Sequence, residues 1–381
     1  MRISTRSNVE PFHAMDVLAE ANRLRAGGRD IVSMAVGQPS APAPAVVREA
    51  AAKALADGRI GYTDASGIAA LREAIARHYL DHYQLVVPVE RIVVTTGSSA
   101  GFNLAFLAMF DVGDRVAVTS PGYPAYRNVL AALGLQAVEL PLGEGGYLTA
   151  DMLREAHGKQ PLAGTLFASP ANPTGATIPE PELARIVETC RELGIAAISD
   201  EIYHRLSYTG PDVSALAFGD DMVVINSFSK YYCMTGWRIG WMVLPLDLVR
   251  PVERIQQSLY ISAPELSQIA ASAAFSATDE LEAVKDTYRE ARALLLDRLP
   301  TLGMPLAAPL DGAFYAYCDV SAHTNDSMAF ARAMLREAGV AATPGHDFDI
   351  TEGQRFMRFS YAGGPEHTRI ALERLANWLA R

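Results

Sequence analysis

Six short apolar runs recur between residues 92 and 243: Ile92–Thr96, Arg115–Thr119, Thr165–Ser169, Ile195–Ser199, Met222–Asn226 and Ile239–Val243. None alternates with polar residues, the pattern of strands covered on both faces rather than on one. Stretches of helical periodicity lie between several of them, such as Glu180–Leu193, whose Leu183, Ile186, Val187 and Cys190 share a face. Strand–helix alternation of this kind predicts an α/β fold: a large domain with a mostly parallel sheet covered by helices, plus a smaller α+β domain. A helix is also expected over Ala14–Arg25, closed by Gly27-Gly28.

The strand ends carry the chemistry. Gly97-Ser-Ser follows the first run, Ser120-Pro-Gly-Tyr-Pro-Ala-Tyr126 the second and Pro170-Ala-Asn-Pro-Thr-Gly175 the third. Asp200-Glu-Ile-Tyr203 follows the fourth and Ser227-Phe-Ser-Lys230 the fifth. Turn-forming residues explain one or two such ends, but not an Asp, a Tyr, an Asn and a Lys all delivered to one rim. The carboxyl edge of an open α/β sheet is where ligands bind. Lys230 has apolar and aromatic neighbours in sequence and Arg238 eight residues on. Desolvation and a nearby cation lower a lysine pKa and make the amine a nucleophile towards carbonyls. Were that carbonyl pyridoxal phosphate, the cofactor would need a carboxylate at its ring nitrogen and donors at its phenolate oxygen. It would also need an aromatic face, a phosphate cradle and an arginine for the substrate carboxylate.

Other classes of function are poorly served. The net charge is -10 with no Lys/Arg block, which argues against a nucleic-acid face. Three scattered cysteines form neither a disulfide framework nor a zinc spacing, and suit a reducing, cytoplasmic setting. The N-terminus lacks the apolar core of a signal peptide, and no run reaches the ~20 apolar residues of a membrane span. His78 and His82 lie four apart on a helix, but no third ligand is evident, so no metal site is expected and the pair reads as a solvated face. Cys233 reads as a small buried hydrophobe and Glu201, alternating with Asp200, as structural.

The segments Ser227-Phe-Ser-Lys230 with Met234-Thr-Gly-Trp-Arg-Ile-Gly240, Asn172-Pro-Thr-Gly175 and Asp200-Glu-Ile-Tyr203 resemble the class I pyridoxal-phosphate-dependent aminotransferases (aspartate aminotransferase-like, fold type I). The likeness runs from Gly37-Gln-Pro39 to Arg358-Phe-Ser-Tyr-Ala362. It implies an N-terminal arm and part of the small domain over residues 1–43, a large cofactor-binding domain over 44–280 and a small C-terminal domain over 281–381. It implies transfer of an amino group from a 2-amino acid to a 2-oxo acid, with 2-oxoglutarate as the acceptor. By that resemblance Lys230 would hold the cofactor as a Schiff base and move the α-proton. Asp200 would pair with the ring nitrogen, Asn172 and Tyr203 would hydrogen-bond the phenolate oxygen, and Tyr123 would stack on the ring. Ser98, Ser99, Ser227 and Arg238 would cradle the phosphate, joined by Tyr62 from the other subunit of a homodimer. Arg358 would bind the substrate carboxylate, with Gly37, Asn172 and Phe12 around it. The Asn172–Pro173 bond is expected to be cis.

Two departures stand out. Asp349 in Pro344-Gly-His-Asp-Phe-Asp349 replaces a glycine common in the family, so that loop is expected to differ. Ser98 and Ser99 stand where acid-selective relatives place a lysine, which argues for an uncharged donor side chain. Two competing readings share the fold: a carbon–sulfur β-lyase or related lyase, and a ligand-sensing regulator without activity.

Overall fold

The computed structural model describes residues 2–143 and 145–381. Eleven strands form two sheets. In chain order they are β1 (Val32–Met34), β2 (Ile92–Thr95), β3 (Arg115–Ser120), β4 (Gln136–Pro141), β5 (Gly164–Ala168) and β6 (Ala196–Asp200). They continue with β7 (Val223–Ser227), β8 (Gly240–Val243), β9 (Tyr315–Asp319), β10 (Val340–Pro344) and β11 (Phe356–Ser360). The larger sheet has the order β2-β8-β7-β6-β5-β3-β4. All of its pairings are parallel except those of β8, which runs against both β2 and β7.

The six apolar runs each became a strand of this sheet because helices cover both faces. Every residue of β2, β7 and β8 is buried, and burying each Val or Ile side chain contributes about 1.5–3 kcal/mol. The helix Glu180–Leu193 forms as its pattern requires. Pro181 sits in the first turn, Glu180 and Glu182 favour the positive end of the helix dipole, and Gly194 ends it at φ 64°. Its Leu183, Ile186, Val187 and Cys190 are all buried.

The smaller sheet, β1-β10-β11-β9, takes its first strand from the N-terminal segment and the rest from beyond residue 314. Residues 32–34 pair in parallel with 340–342, so the chain's two ends meet in one layer. Its strand β11 carries Arg358 towards the carboxyl edge of the large sheet.

Candidate active site

Five strand ends of the large sheet, four segments of the smaller one and the start of the helix His13–Ala26 enclose a cavity of about 220 Å³. Lys230 lies just past β7, and its Nζ donates to the Gly37 carbonyl at 2.6 Å. Among the described residues no carboxylate forms an ion pair with it, and the Tyr203 and Phe314 rings lie 5.8 Å away. Burial, then the Arg358 and Arg238 charges, lower its pKa to about 8. The amine is therefore part neutral near physiological pH, as a nucleophile or base requires.

Asp200 ends β6 and is 3 % exposed. The Tyr126 hydroxyl donates to its Oδ2 and the Ile202 N–H to its Oδ1, the latter at 3.1 Å. Burial raises its pKa to about 6, against the lowering effect of those two donors. Glu201, next in sequence, turns to the opposite face, where Ser199, Ser214 and the Ala215 N–H converge on its Oε1.

Arg358 is 5 % exposed and has no carboxylate partner among the described residues. Its Nη1 donates to Asn172 Oδ1 at 2.9 Å, and its Nη2 reaches the Ala35 carbonyl and Thr343 Oγ1. The Tyr315 and Phe348 rings stand 4.3 and 4.6 Å from its guanidinium carbon, and Nε is buried without a partner. A buried cation left without a counter-ion is costly unless a ligand supplies one. The Asn172–Pro173 bond is cis, as expected.

The other expected residues divide. Tyr123 lines the cavity at the start of the helix Pro124–Leu133, edge-on to Phe12 with centroids 5.8 Å apart. Ser98 and Ser99 open the helix Gly97–Met109, and neither hydroxyl hydrogen-bonds to protein among the described residues. Arg238, in the left-handed region at φ 50°, sets its guanidinium against Gly97, where a side chain would press on it. Gly37 has its own steric reason: a Cβ there would collide with the Tyr315 hydroxyl.

One expectation needs correction, and two residues lie off the cavity wall of this chain. Ser227 does not line the cavity; its hydroxyl lies 3.0 Å from the Ile239 carbonyl and 2.9 Å from Ser229 Oγ, and Ser229 stands in the wall instead. Tyr62 is 82 % exposed and outside the cavity of its own chain. His78 is not solvated: it packs against Phe275 and Tyr83, and burial drives its pKa down to about 3. No cluster of three metal-type ligands forms among the described residues. Asp349 folds its carboxylate onto the Thr351 and Glu352 N–H groups at 2.8 and 2.9 Å, bracing the loop that lost its glycine.

Sequence reasoning missed Tyr126, Tyr315, Phe348 and Ser229. Tyr126 carried a signal, since it follows Tyr123 by one helical turn on the face that meets Asp200. Tyr315, whose hydroxyl bonds Tyr203 at 2.8 Å, carried none.

The unmet groups suit pyridoxal 5'-phosphate. An amine without an ion pair, a buried carboxylate, a helix N-terminus with free hydroxyls and a facing arginine surround one cavity, and an orphaned guanidinium Nε marks the place for a second carboxylate. Fold and site together define a pyridoxal-phosphate enzyme of fold type I. The comparisons with known proteins carry this further. Residues 29–375 match the family described as aminotransferase class I and II. The chain is 49 % identical to a valine–pyruvate aminotransferase of Mycobacterium tuberculosis, over 99 % of this chain and 98 % of that protein. It is 35 % identical to an aspartate/prephenate aminotransferase of Thermus thermophilus, over 98 % and 97 %. A crystal structure of an aminotransferase from Mycobacterium tuberculosis superposes with a TM-score of 0.97 at 48 % identity, covering 100 % of this chain and 99 % of that one. The chain belongs to the class I and II aminotransferases. It is a pyridoxal-phosphate-dependent transaminase, moving an amino group from a 2-amino acid to a 2-oxo acid, which sets aside the lyase and sensor readings.

Proposed function

We propose that the donor is a 2-amino acid with an uncharged, apolar side chain, held by Arg358 through its α-carboxylate. The observation that carries this is the cation inventory of the cavity wall. Among the described residues it holds Lys230, Arg238 and Arg358. The first two serve the cofactor and the third the α-carboxylate, leaving none from this chain for a second carboxylate. Phe12, Met15, Val36, Phe102 and Phe348 give the remaining wall an apolar stretch. The same inventory favours a 2-oxo acid with one carboxylate, such as pyruvate, as acceptor, and the valine–pyruvate relative points the same way. The 2-oxoglutarate expected from the family resemblance would need a cation from the partner subunit.

Pyridoxal phosphate, when bound, supplies a carbonyl that takes the amino group and an electron-withdrawing ring. The roles left to the chain follow from its geometry. Lys230 is the covalent anchor and, with a pKa about 8, the base and acid for the proton at the donor's Cα. Asp200, oriented by Tyr126 and Ile202, would hold a negative charge for the ring nitrogen. Asn172 and Tyr203 would offer donors to the phenolate oxygen, and Tyr123 would supply the aromatic face. The helix start at Gly97–Ser99 and the Arg238 fork bind the phosphate. Ser227 supports that cradle through Ser229. Phe12 and Met15 shield the mouth from water.

The chain acts as a homodimer in this reading. Tyr62, Leu259 and Ile261 are exposed, and the segments that carry them meet where the Thr63 N–H donates to Ser262 Oγ at 3.3 Å; Ile261 holds a positive φ of 68°. A partner would bury these side chains and bring its Tyr62 to Arg238. We also infer the division into arm, large domain and small domain at residues 43 and 280, and a cytoplasmic setting; among the described residues no helix is long and apolar enough to cross a membrane. The test is a half-reaction screen: each amino acid against the loaded enzyme, read as loss of the cofactor's resting absorbance, then pyruvate against 2-oxoglutarate in the return half. Valine-like donors ahead of aspartate support the proposal; aspartate ahead by a hundredfold refutes it.

A further inference from the structure

The first helix, His13–Ala26, begins without a cap of its own. Phe12 occupies the N-cap position and offers no side-chain acceptor, although the first turn of any helix presents N–H groups without internal partners. The acceptor comes from the far end of the chain. Asp347 Oδ1 receives the His13 N–H at 3.0 Å and Oδ2 receives the Ala14 N–H at 2.9 Å. Asp347 is 1 % exposed and forms no ion pair with a cation among the described residues. Its charge is met by these two N–H groups and the positive end of the helix dipole. The surrounding ionisable groups are few: His13 faces His346 at 5.9 Å and lies 3.5 Å from the Asp16 carboxylate, and Arg127 donates to the Asp347 carbonyl rather than to its carboxylate.

This cap ties together three parts of the cavity. Phe12 and Met15, on either side of the capped residues, line the mouth. Phe348, next to Asp347, covers Arg358, and its carbonyl receives the Gly122 N–H at 3.0 Å, one residue before Tyr123. Arg127 Nη2 anchors the Asp347 carbonyl at 2.7 Å to the helix that Tyr123 opens. A second tether, Asn128 Nδ2 to the Glu10 carbonyl, holds the chain just before the helix.

We propose that Asp347 is a specificity-determining positioning residue: by capping the first helix it fixes Phe12 and Met15 as the outer wall of the donor side-chain pocket. The wall touches only what extends beyond Cβ, so its loss penalises long apolar donors more than alanine. This rests on the apolar-donor reading above.

The experiment compares the wild type, Asp347→Asn, Asp347→Ala, Phe12→Ala and the Asp347→Ala/Phe12→Ala pair, all as loaded enzyme. Two readouts are taken: amide hydrogen exchange at residues 13 and 14, and the ratio of kcat/KM for leucine to that for alanine. Loss of a cap of ordinary strength should speed exchange at these amides by about tenfold in Asp347→Ala. The leucine-to-alanine ratio should fall by about tenfold, chiefly through KM. Asp347→Asn, which keeps one acceptor oxygen, should lie between. Phe12→Ala should lower the ratio alone, and the double variant should add little, because both changes remove one wall. Faster exchange with an unaltered ratio overturns the proposal, as does an equal fall for both donors or full additivity. Should the wild type itself prefer aspartate, the donor reading fails, while exchange and the shift in ratio still judge the cap.

Discussion

Two arginines of this chain are almost equally buried, Arg358 at 5 % and Arg91 at 4 % exposure, and they have opposite surroundings. Arg91, beside β2, is fully engaged. Its Nε donates to the Leu244 carbonyl at 2.7 Å, its Nη1 to the Asp220 carboxylate and its Nη2 to the Asp220 carbonyl at 2.9 Å. Among the described residues Arg358 has two aromatic faces, an amide, a carbonyl and a hydroxyl, but no anion, and its Nε has no partner. The protein completes the first arginine from within and leaves the second to be completed from outside. Asp200 and its neighbour Glu201 differ in the direction they face. Glu201 turns away from the cavity, where its Oε1 takes three donors and its Oε2, buried without a hydrogen bond, lies 3.5 Å from His204 Nδ1, whereas Asp200 takes one donor per oxygen and lines the cavity.

The largest expected effect is on the group that this contrast makes most open. Lys230→Ala should lose the pyridoxyl adduct trapped by borohydride and reduce turnover by at least ~10⁴-fold, covalent anchor and base being lost together. Mapping of the adduct to another lysine would break the assignment. Next comes Asp200→Asn, which should cut turnover by about 10³-fold with the cofactor still bound. Its stability should move the other way. The folded pKa of about 6 lies above the ordinary carboxylate value of 3.8, so the native state binds the extra proton between these values. Stability is therefore lost as pH rises from about 4 to 6 and stays lost above 6. The unloaded Asp200→Asn protein should thus melt higher than wild type at pH 7, and the gap should close by pH 4. A lower melting point at pH 7 would show that the charge of Asp200 is already compensated within the fold.

Replacing the spent arginine should do the reverse of replacing the open one. Arg91→Met should cost about 2 kcal/mol of unfolding free energy by leaving two carbonyls poorly paired, with kcat/KM per folded molecule unaffected. The smallest effect is a gain: Ser99→Lys should raise kcat/KM for aspartate about fivefold, the worth of one exposed ion pair near ~1 kcal/mol. No gain would mean that position 99 does not face the donor side chain.

Much of this was legible in the sequence because strand ends announce themselves. Apolar runs bounded by Gly, Pro, Asn and Asp located five of the site segments and the large sheet. The edge strand β4 escaped, since Gln136–Pro141 is mostly half-exposed and reads as neither a buried nor an alternating strand. The antiparallel course of β8 could not be read from its composition. Tyr315 and Asp347 act through contacts separated by hundreds of residues from their partners, and no local pattern encodes them. His78 was misread because helical spacing says which residues share a face but not that this face meets Phe275 and Tyr232 instead of water. Ser227 and Ser229 share a strand end; spacing cannot tell which hydroxyl the Ile239 carbonyl claims.

The most direct test of the open-arginine account uses a ligand that cannot react. A donor stripped of its amino group, 3-methylbutanoate, is titrated into loaded wild type, Arg358→Lys and Arg91→Lys, with cofactor absorbance confirming an intact site in each. Arg358 as the carboxylate receptor predicts saturable binding to wild type and Arg91→Lys, weakened roughly thirtyfold or more in Arg358→Lys because an ammonium cannot reproduce the planar fork. Equal binding to all three proteins would contradict it.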